Sequence, residues 1–291
     1  MKICGFTFVR NAVKFDYPVV ESIKSILPVV DEFVVSVGDC DDGTLQLIES
    51  IGSSKIKIFH SVWDDTIREG GKVLAVETNK SFAHVGPEFD WAFYLQADEV
   101  VHEKDLPSII QAADQYLQDK NVQGLIFNFI HFYGTYNYVG DSRRWYSNEI
   151  RLIRNDKKIH SYRDGQGFRN GNNDKLKGKQ INASIYHYGW VRHPNKQLEK
   201  LSNFYGLWNG ENYIAPPINE KDQFDFLKNV DSVIAFKGQH PAIMQKRIAE
   251  KNWDLNFDIT RKKFSFKNKL VYRIEKLTGI HLFRFRNYTK I

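Results

Sequence analysis

Over the first hundred residues, short runs of β-branched and aromatic residues alternate with segments of helical spacing. The run from Ile3 to Val9 predicts a strand. The spacing of Val20, Ile23, Ile26 and Leu27 predicts a helix over 17–27, ended by Pro28. A second strand is expected over 33–37, running into the turn-rich GDCDDGT. A helix over 44–51 would gather Leu45, Leu47, Ile48 and Ile51 before Gly52. A third strand is expected over 56–60, and a helix over 72–85 beyond a loop around Trp63. The segment WAFYL, residues 91–95, is apolar throughout, which fits a buried strand that delivers the chain into QADEVVHE. A helix over 107–118 follows, with Ile109, Ile110, Ala113, Tyr116 and Leu117 on one face and Asp105 as its cap. Strands alternating with helices in this way predict βαβ units and a mainly parallel sheet.

From residue 122 the pattern changes. LIFNFIHFYGTYNYV, EIRLIR and SIYHYGW are long aromatic strands separated by Gly- and Asn-rich loops, which suggests an α/β front half extended by antiparallel strands. Residues 195–260 read as helical in parts, with Pro216 and Pro217 as punctuation. No internal repeat is evident.

Composition narrows the classes. With 42% hydrophobic residues, 21 Phe, 14 Tyr and 6 Trp in 291, the chain is too apolar and aromatic for disorder. It is long enough for a large core. Cys4 and Cys40 cannot build a disulfide framework or a Cys/His zinc cluster, so a reducing compartment is expected. The opening MKICGFTFVRNAV is interrupted by Arg10 and Asn11 and reads better as a strand than as a signal peptide. No stretch has the continuous apolar length of a membrane span.

The net charge of +6 is unevenly distributed. Residues 261–291 hold ten Lys or Arg against one acid, Glu275, so the rest of the chain is slightly acidic. A nucleic-acid reading of the whole chain therefore loses its support, and no nucleic-acid partner is expected. The tail, KKFSFKNKLVYRIEKLTGIHLFRFRNY, mixes cations with Phe, Leu, Ile and Tyr. It reads either as an amphipathic helix on an anionic membrane or as a solvated face folded on the main domain.

In an open parallel sheet, ligands bind beyond the carboxyl ends of the strands. Asp39, Asp41 and Asp42 follow the second predicted strand, and Asp98 and Glu99 follow WAFYL. Carboxylates gathered at one edge repel unless a cation neutralises them, and oxygen ligands suit Mg²⁺ or Mn²⁺ carrying a diphosphate. Taken alone, GDCDDGT reads first as a polar turn with an Asp or Thr helix cap.

The order of these segments, VVDEFVVSVGDCDDGT, a Trp-containing loop, a helix, DWAFYLQADEV, and then EIRLIRN, DGQGFR and IYHYGWVRHP, resembles a bacterial branch of the family-two glycosyltransferases with the GT-A fold. The resemblance covers residues 1–205. It implies a Rossmann-like α/β mixed sheet with helices on both faces, in a domain taken over 1–215 with a 1–120 nucleotide-binding half and a 121–215 acceptor half; beyond it, the chain's own pattern predicts a helical, basic extension over 216–291.

By the same resemblance, Asp98 is the last acid of an Asp-any-Asp element and a metal ligand. Gln96 stands where the first acid is usual, keeping an oxygen acceptor for ribose without the charge. Val37 and Gly38 stand where many relatives carry acids that contact the base. Asp39 and Asp42 are expected at the nucleotide. His187 resembles a histidine that completes the metal site in some such enzymes, and it reads otherwise as a hydrogen-bonded core residue. Asp164 and Glu149 are the candidates for general base, with Glu149 alternatively paired to Arg151 or Arg143. Arg143, Arg144 and Arg192 are candidate diphosphate ligands, Arg144 first. Trp145, Tyr146, Trp190 and Trp208 are candidate sugar platforms.

The function implied is inverting transfer of a sugar from a nucleotide-diphosphate donor to a glycan or lipid-linked acceptor. It would use a divalent metal and take place in the cytoplasm or on the inner face of the membrane. The alternative is a non-catalytic sugar-nucleotide or glycan-binding protein on a degenerate GT-A scaffold, motivated by Gln96.

Overall fold

Side-chain alternation in the first strands dictates a sheet buried on both faces. In β1 (Ile3–Val9), Ile3 and Val9 join one apolar cluster and Cys4 and Phe6 another; in β2 (Glu32–Gly38), Phe33, Val35 and Val37 oppose Val34. The computed structural model describes residues 1–67, 69–209, 218–219, 222–278 and 285–291. The first face is covered by α1 (Val19–Ile26), α2 (Thr44–Glu49) and α4 (Leu106–Gln115), and the second by α3 (Lys72–Ala83). The remaining strands are β3 (Ile56–Ser61), β4 (Trp91–Tyr94), β5 (Glu99–Val101), β6 (Gly124–Gly140), β7 (Asn148–Arg154), β8 (His160–Tyr162), β9 (Gly167–Asn170) and β10 (Asp174–Val191). The sheet runs in the order β3-β2-β1-β4-β7-β6-β10-β9-β8, with β5 off this path on β10. The pairs from β3 to β4 are parallel, β7 is antiparallel to both its neighbours, and β6 and β10 are parallel. This is the Rossmann-like mixed α/β sheet expected from the sequence.

The later chain wraps the same sheet. After α5 (Pro194–Trp208) come α6 (Phe226–Asn229), β11 (Val233–Ala235), α7 (Gln245–Ala249), α8 (Phe266–Thr278) and β12 (Tyr288–Lys290). The extension is helical in α8, as expected, and also returns two strands: β11 pairs with β6 and β12 with β10. Pro216, Pro217, the expected boundary at 215 and part of the basic tail, Arg284 included, lie outside the described residues.

Two local expectations are corrected at α4. Asp105 sits at the helix start but caps nothing, because its carboxylate takes the backbone N–H of Ser184 at 2.9 Å and so ties the helix to β10. Ile110 is 42% exposed, since Ile109, Ala112 and Ala113 form the buried stripe and α4 ends at Gln115.

One buried ion pair joins the parts that carry the candidate site. Arg151 of β7 donates from Nε and Nη2 to the two carboxylate oxygens of Glu99, each at 2.7 Å, with both side chains fully buried. Its Nη1 donates to the Gln166 carbonyl at 2.9 Å, and the guanidinium lies over Tyr94 and Phe129. Glu99 also accepts the backbone N–H of Gln96 at 3.1 Å. The turn after β4, strand β7 and the loop over 163–166 thus share one charge pair. Removing one partner strands the other charge in the interior, so Arg151→Met should cost about 3–5 kcal/mol. Adding Glu99→Leu should recover much of that loss; urea unfolding of wild type, single and double variants, compared at constant m-value, checks both expectations.

Candidate active site

Strand pairing brings together residues far apart in sequence. Antiparallel pairing of β5 with β10 sets His187 opposite Glu99, so the imidazole reaches the turn holding Asp98. Parallel pairing of β10 with β6 sets His187 beside His131. Helix α5 then closes the side of a cavity of about 660 Å³, which it lines along most of its length from Gln197 to Trp208, Lys200 included. The cavity gathers Gln96, Asp98, Asp164 and His187, four of the residues expected at the site, together with Tyr146, Trp190 and Trp208.

Asp98 is 8% exposed. One carboxylate oxygen lies 3.3 Å from Lys200 Nζ, and the other 3.7 Å from His187 Nε2. Burial opposes its charge, but Lys200, His187 and Arg192 outweigh that and hold the carboxyl down to about 2. Lys200 also donates to the Gly189 carbonyl at 3.0 Å and lies over the Tyr17 ring. Burial, reinforced by Arg192, lowers its ammonium to about 7 against the pull of Asp98.

The histidine tautomers follow from their partners. His131 Nε2 is 2.7 Å from the Tyr146 carbonyl oxygen, which can only accept, so that nitrogen carries the proton. Burial holds His131 well below its ordinary range, so its Nδ1 offers a lone pair to His187 Nδ1, 3.0 Å away. His187 Nδ1 must therefore be the protonated nitrogen. Burial also lowers His187, despite the attraction of Asp98, and the neutral ring then turns the Nε2 lone pair toward a carboxylate oxygen. That lone pair and the carboxylate oxygen, 3.7 Å apart, leave two donor atoms directed at the same space, beside Lys200 on the other carboxylate oxygen.

A divalent metal fits this donor set. A ligating imidazole ordinarily donates its other N–H to a neighbouring acceptor, as His187 does to His131. Gly189 borders the same space: a Cβ there would stand 2.7 Å from His187 Nε2 and 2.8 Å from Asp98 Oδ2. No group of three or more His, Cys, Asp or Glu side chains suited to a metal occurs among the described residues. Asp98 and His187 would thus be the protein's share, as suits Mg²⁺ or Mn²⁺ that takes its other ligands from phosphate and water.

Asp164 stands in a tight loop with Arg163 at φ +55° and Gly165 at φ +77°. Burial raises its carboxyl above the usual range, although backbone N–H groups and Arg163 pull the other way. Gln96 borders it, with its amide 3.4 Å from the Tyr94 hydroxyl and 3.5 Å from the Gly165 carbonyl.

The other expected residues lie elsewhere. Glu149 is buried off the cavity, accepting from Asn287 at 2.9 Å, from Gln166 at 3.4 Å and from the Ile150 N–H; burial raises it. The pairing expected for it is corrected: Arg151 holds Glu99, and Arg143 holds Glu275 at 2.9 Å. Asp42 caps the Thr44 N–H and hydroxyl and takes the Lys14 N–H, bonds that outweigh burial and keep it below the usual range. Asp39 is held at the rim by Arg10, which lies over Trp63 and also pairs with Asp65. Arg144 packs over Trp145 and Trp190 and bonds the Asn229 carbonyl, while Arg192 is wholly buried on the Phe15 and Gly189 carbonyls. Lys200, Gly189, His131 and Arg10 were not anticipated. The signals present were a lysine on the apolar face of α5 and a glycine inside an aromatic strand.

Comparison with known proteins places this geometry at a distance from them. No protein-family model matches the chain, and no curated protein sequence matches it. Among solved structures it is similar to S. aureus TarS in complex with UDP, at 12% identity and a TM-score of 0.37, over 69% of this chain and 64% of that one. The complex of TarS with UDP-GlcNAc gives 12% identity and a TM-score of 0.38 over 70% and 65%. A 4-diphosphocytidyl-2C-methyl-D-erythritol synthase from Anaerococcus prevotii gives 9% and 0.33 over 53% and 70%. The chain spans less than two thirds of the TarS chains' own length. At these scores the likeness carries no argument about function, which rests on the chain's own geometry.

Proposed function

We propose that the cavity binds a nucleotide-diphosphate sugar and that the chain transfers the sugar, with inversion, to a glycan or lipid-linked acceptor. The observation that carries this reading is the convergence of Asp98, the His187 Nε2 lone pair and Lys200 at the end of β4, with a carboxyl of raised pKa, Asp164, in the same cavity. Asp98 and His187 would hold a divalent metal, which when bound supplies Lewis-acid stabilisation of the departing diphosphate. Lys200, with its ammonium lowered to about 7, adds positive charge beside that group in its protonated form. Asp164 accepts the proton of the acceptor hydroxyl as its oxygen bonds to the anomeric carbon and the bond to the diphosphate breaks. Tyr146, Trp190 and Trp208 offer ring faces to the sugars.

A second reading, binding without turnover, is favoured by one observation. Gln96 supplies no charge, and Asp98 is already neutralised by Lys200. Donor hydrolysis separates the two, since a binding protein retains the donor intact.

Three outcomes are expected. In a thermal-shift screen of UDP-, GDP-, CMP- and dTDP-sugars, one donor should stabilise the wild type more with Mn²⁺ than without it. Asp98→Asn and His187→Ala should lose the Mn²⁺-dependent part while keeping the wild-type circular dichroism spectrum. Equal Mn²⁺ dependence in both variants would overturn the metal assignment.

Asp164→Asn should keep donor affinity and lose transfer by about 10²- to 10⁴-fold. A base acts deprotonated, so the wild-type kcat/KM should fall as pH drops through the raised pKa of Asp164, with its acid limb above the ordinary carboxylate range. Near-normal transfer by Asp164→Asn, with loss in Glu149→Gln, would pass the role to Glu149.

Gly189→Ala would put a methyl group against both proposed ligands. It should abolish Mn²⁺-dependent donor binding while the ligand-free protein, overpacked by about 1–3 kcal/mol, still unfolds cooperatively at a lowered melting temperature, read in the same assay.

A further inference from the structure

The candidate site leaves α8 unexplained. At about 100° per residue, Phe266, Leu270 and Leu277 fall within about 40° of arc on this helix. They are 88%, 54% and 87% exposed, large apolar side chains in one ridge that faces solvent. Lys269 and Arg273 flank the ridge on one side and Lys267 on the other, all exposed. Lys276 is shared with Asp141, 3.8 Å away. The opposite side of the helix is anchored: Glu275 is buried and accepts from Arg143, and the Tyr272 hydroxyl donates to Asp141 at 2.5 Å. Packing against the body of the protein thus fixes which face points outward, and that face is apolar at its centre and cationic along both borders.

This arrangement suits an interface with a hydrocarbon layer behind a layer of negative charge. An apolar partner protein would leave the flanking ammonium and guanidinium groups without counter-ions. A second copy docking through the same face would set Lys269 and Arg273 against like charges. Among the described residues no helix is long and apolar enough to cross a membrane, so contact would be made in the plane of the surface.

We infer that α8 is a membrane-docking helix, with Phe266, Leu270 and Leu277 seated among the acyl chains of an anionic bilayer and Lys267, Lys269 and Arg273 on its headgroups. Arg143, which anchors α8, lies in the segment between β6 and β7 that also carries Tyr146, a wall of the cavity whose carbonyl fixes His131. Docking would therefore hold the cavity close to the lipid surface. The inference does not depend on the reaction assigned to that cavity.

The test is flotation of the full chain with two kinds of vesicle, phosphatidylcholine alone and phosphatidylcholine with a minority of phosphatidylglycerol. Point substitutions are preferable to truncation, because Tyr288 is buried and Asn287 bonds Glu149 and Arg169, so removing the tail would disturb the sheet. The wild type should float with the anionic vesicles and not with the neutral ones. Phe266→Ser with Leu277→Ser should abolish flotation, and Lys269→Gln with Arg273→Gln should weaken partition about 30-fold, at unchanged melting temperature. The inference is overturned if the wild type ignores anionic vesicles, or if either double variant floats as the wild type does. It is equally overturned if Phe266→Ser with Leu277→Ser turns a dimer into a monomer in sedimentation, since a second copy would then own the ridge.

Discussion

The pairing of Arg151 with Glu99 is the constraint on which the site depends. Two opposite charges taken wholly out of water hold each other only if geometry is good and every remaining donor is satisfied. Here the guanidinium is bidentate to the carboxylate and spends its other nitrogen on the backbone carbonyls of Ile150 and Gln166. The consequence is positional. The turn bearing Gln96 and Asp98 cannot move relative to β7, nor β7 relative to the loop bearing Asp164, without separating charges in a medium that cannot solvate them.

Around that clamp the cavity has a consistent electrostatic logic. One carboxylate, Asp98, faces a buried lysine, a buried arginine and a ring nitrogen whose lone pair is directed by a second histidine. Beside Asp98 the two cations Lys200 and Arg192 face a single carboxylate, a local setting in which a phosphate can be held. Asp164, in the same cavity, has its carboxyl raised by burial, which suits a group that takes up a proton rather than one that neutralises a charge.

Much of the fold was legible in the sequence because its signals are local. The apolar runs Ile3–Val9 and Trp91–Tyr94 and the helical spacing in Val19–Ile26 are set by near neighbours, and the strand–helix order then limits topology. Asp105 was misread because a cap is a local signal that a tertiary bond to Ser184 overrode. Asp98 could be nominated from its place after a strand and Asp164 from its Gly-containing loop, whereas Gln96 and His187 entered only through the family resemblance. Lys200, His131 and Gly189 could not, because their roles exist only once β6, β10 and α5 are aligned. Glu149 and Arg144 show the converse, residues of suitable chemistry that the register turned away from the cavity.

The way β10 is held has a kinetic consequence. Its residues 176–178 pair with 288–290, and its residues 185–187 with 99–101. Both ladders close loops on the order of a hundred residues, and such closures form late because their entropy must be met before the contacts stabilise anything. Local βα units of the first hundred residues can form without them. The cavity cannot, so the population of molecules able to bind ligand during refolding should lag behind the recovery of helix, and ligand binding reports on completion of the sheet.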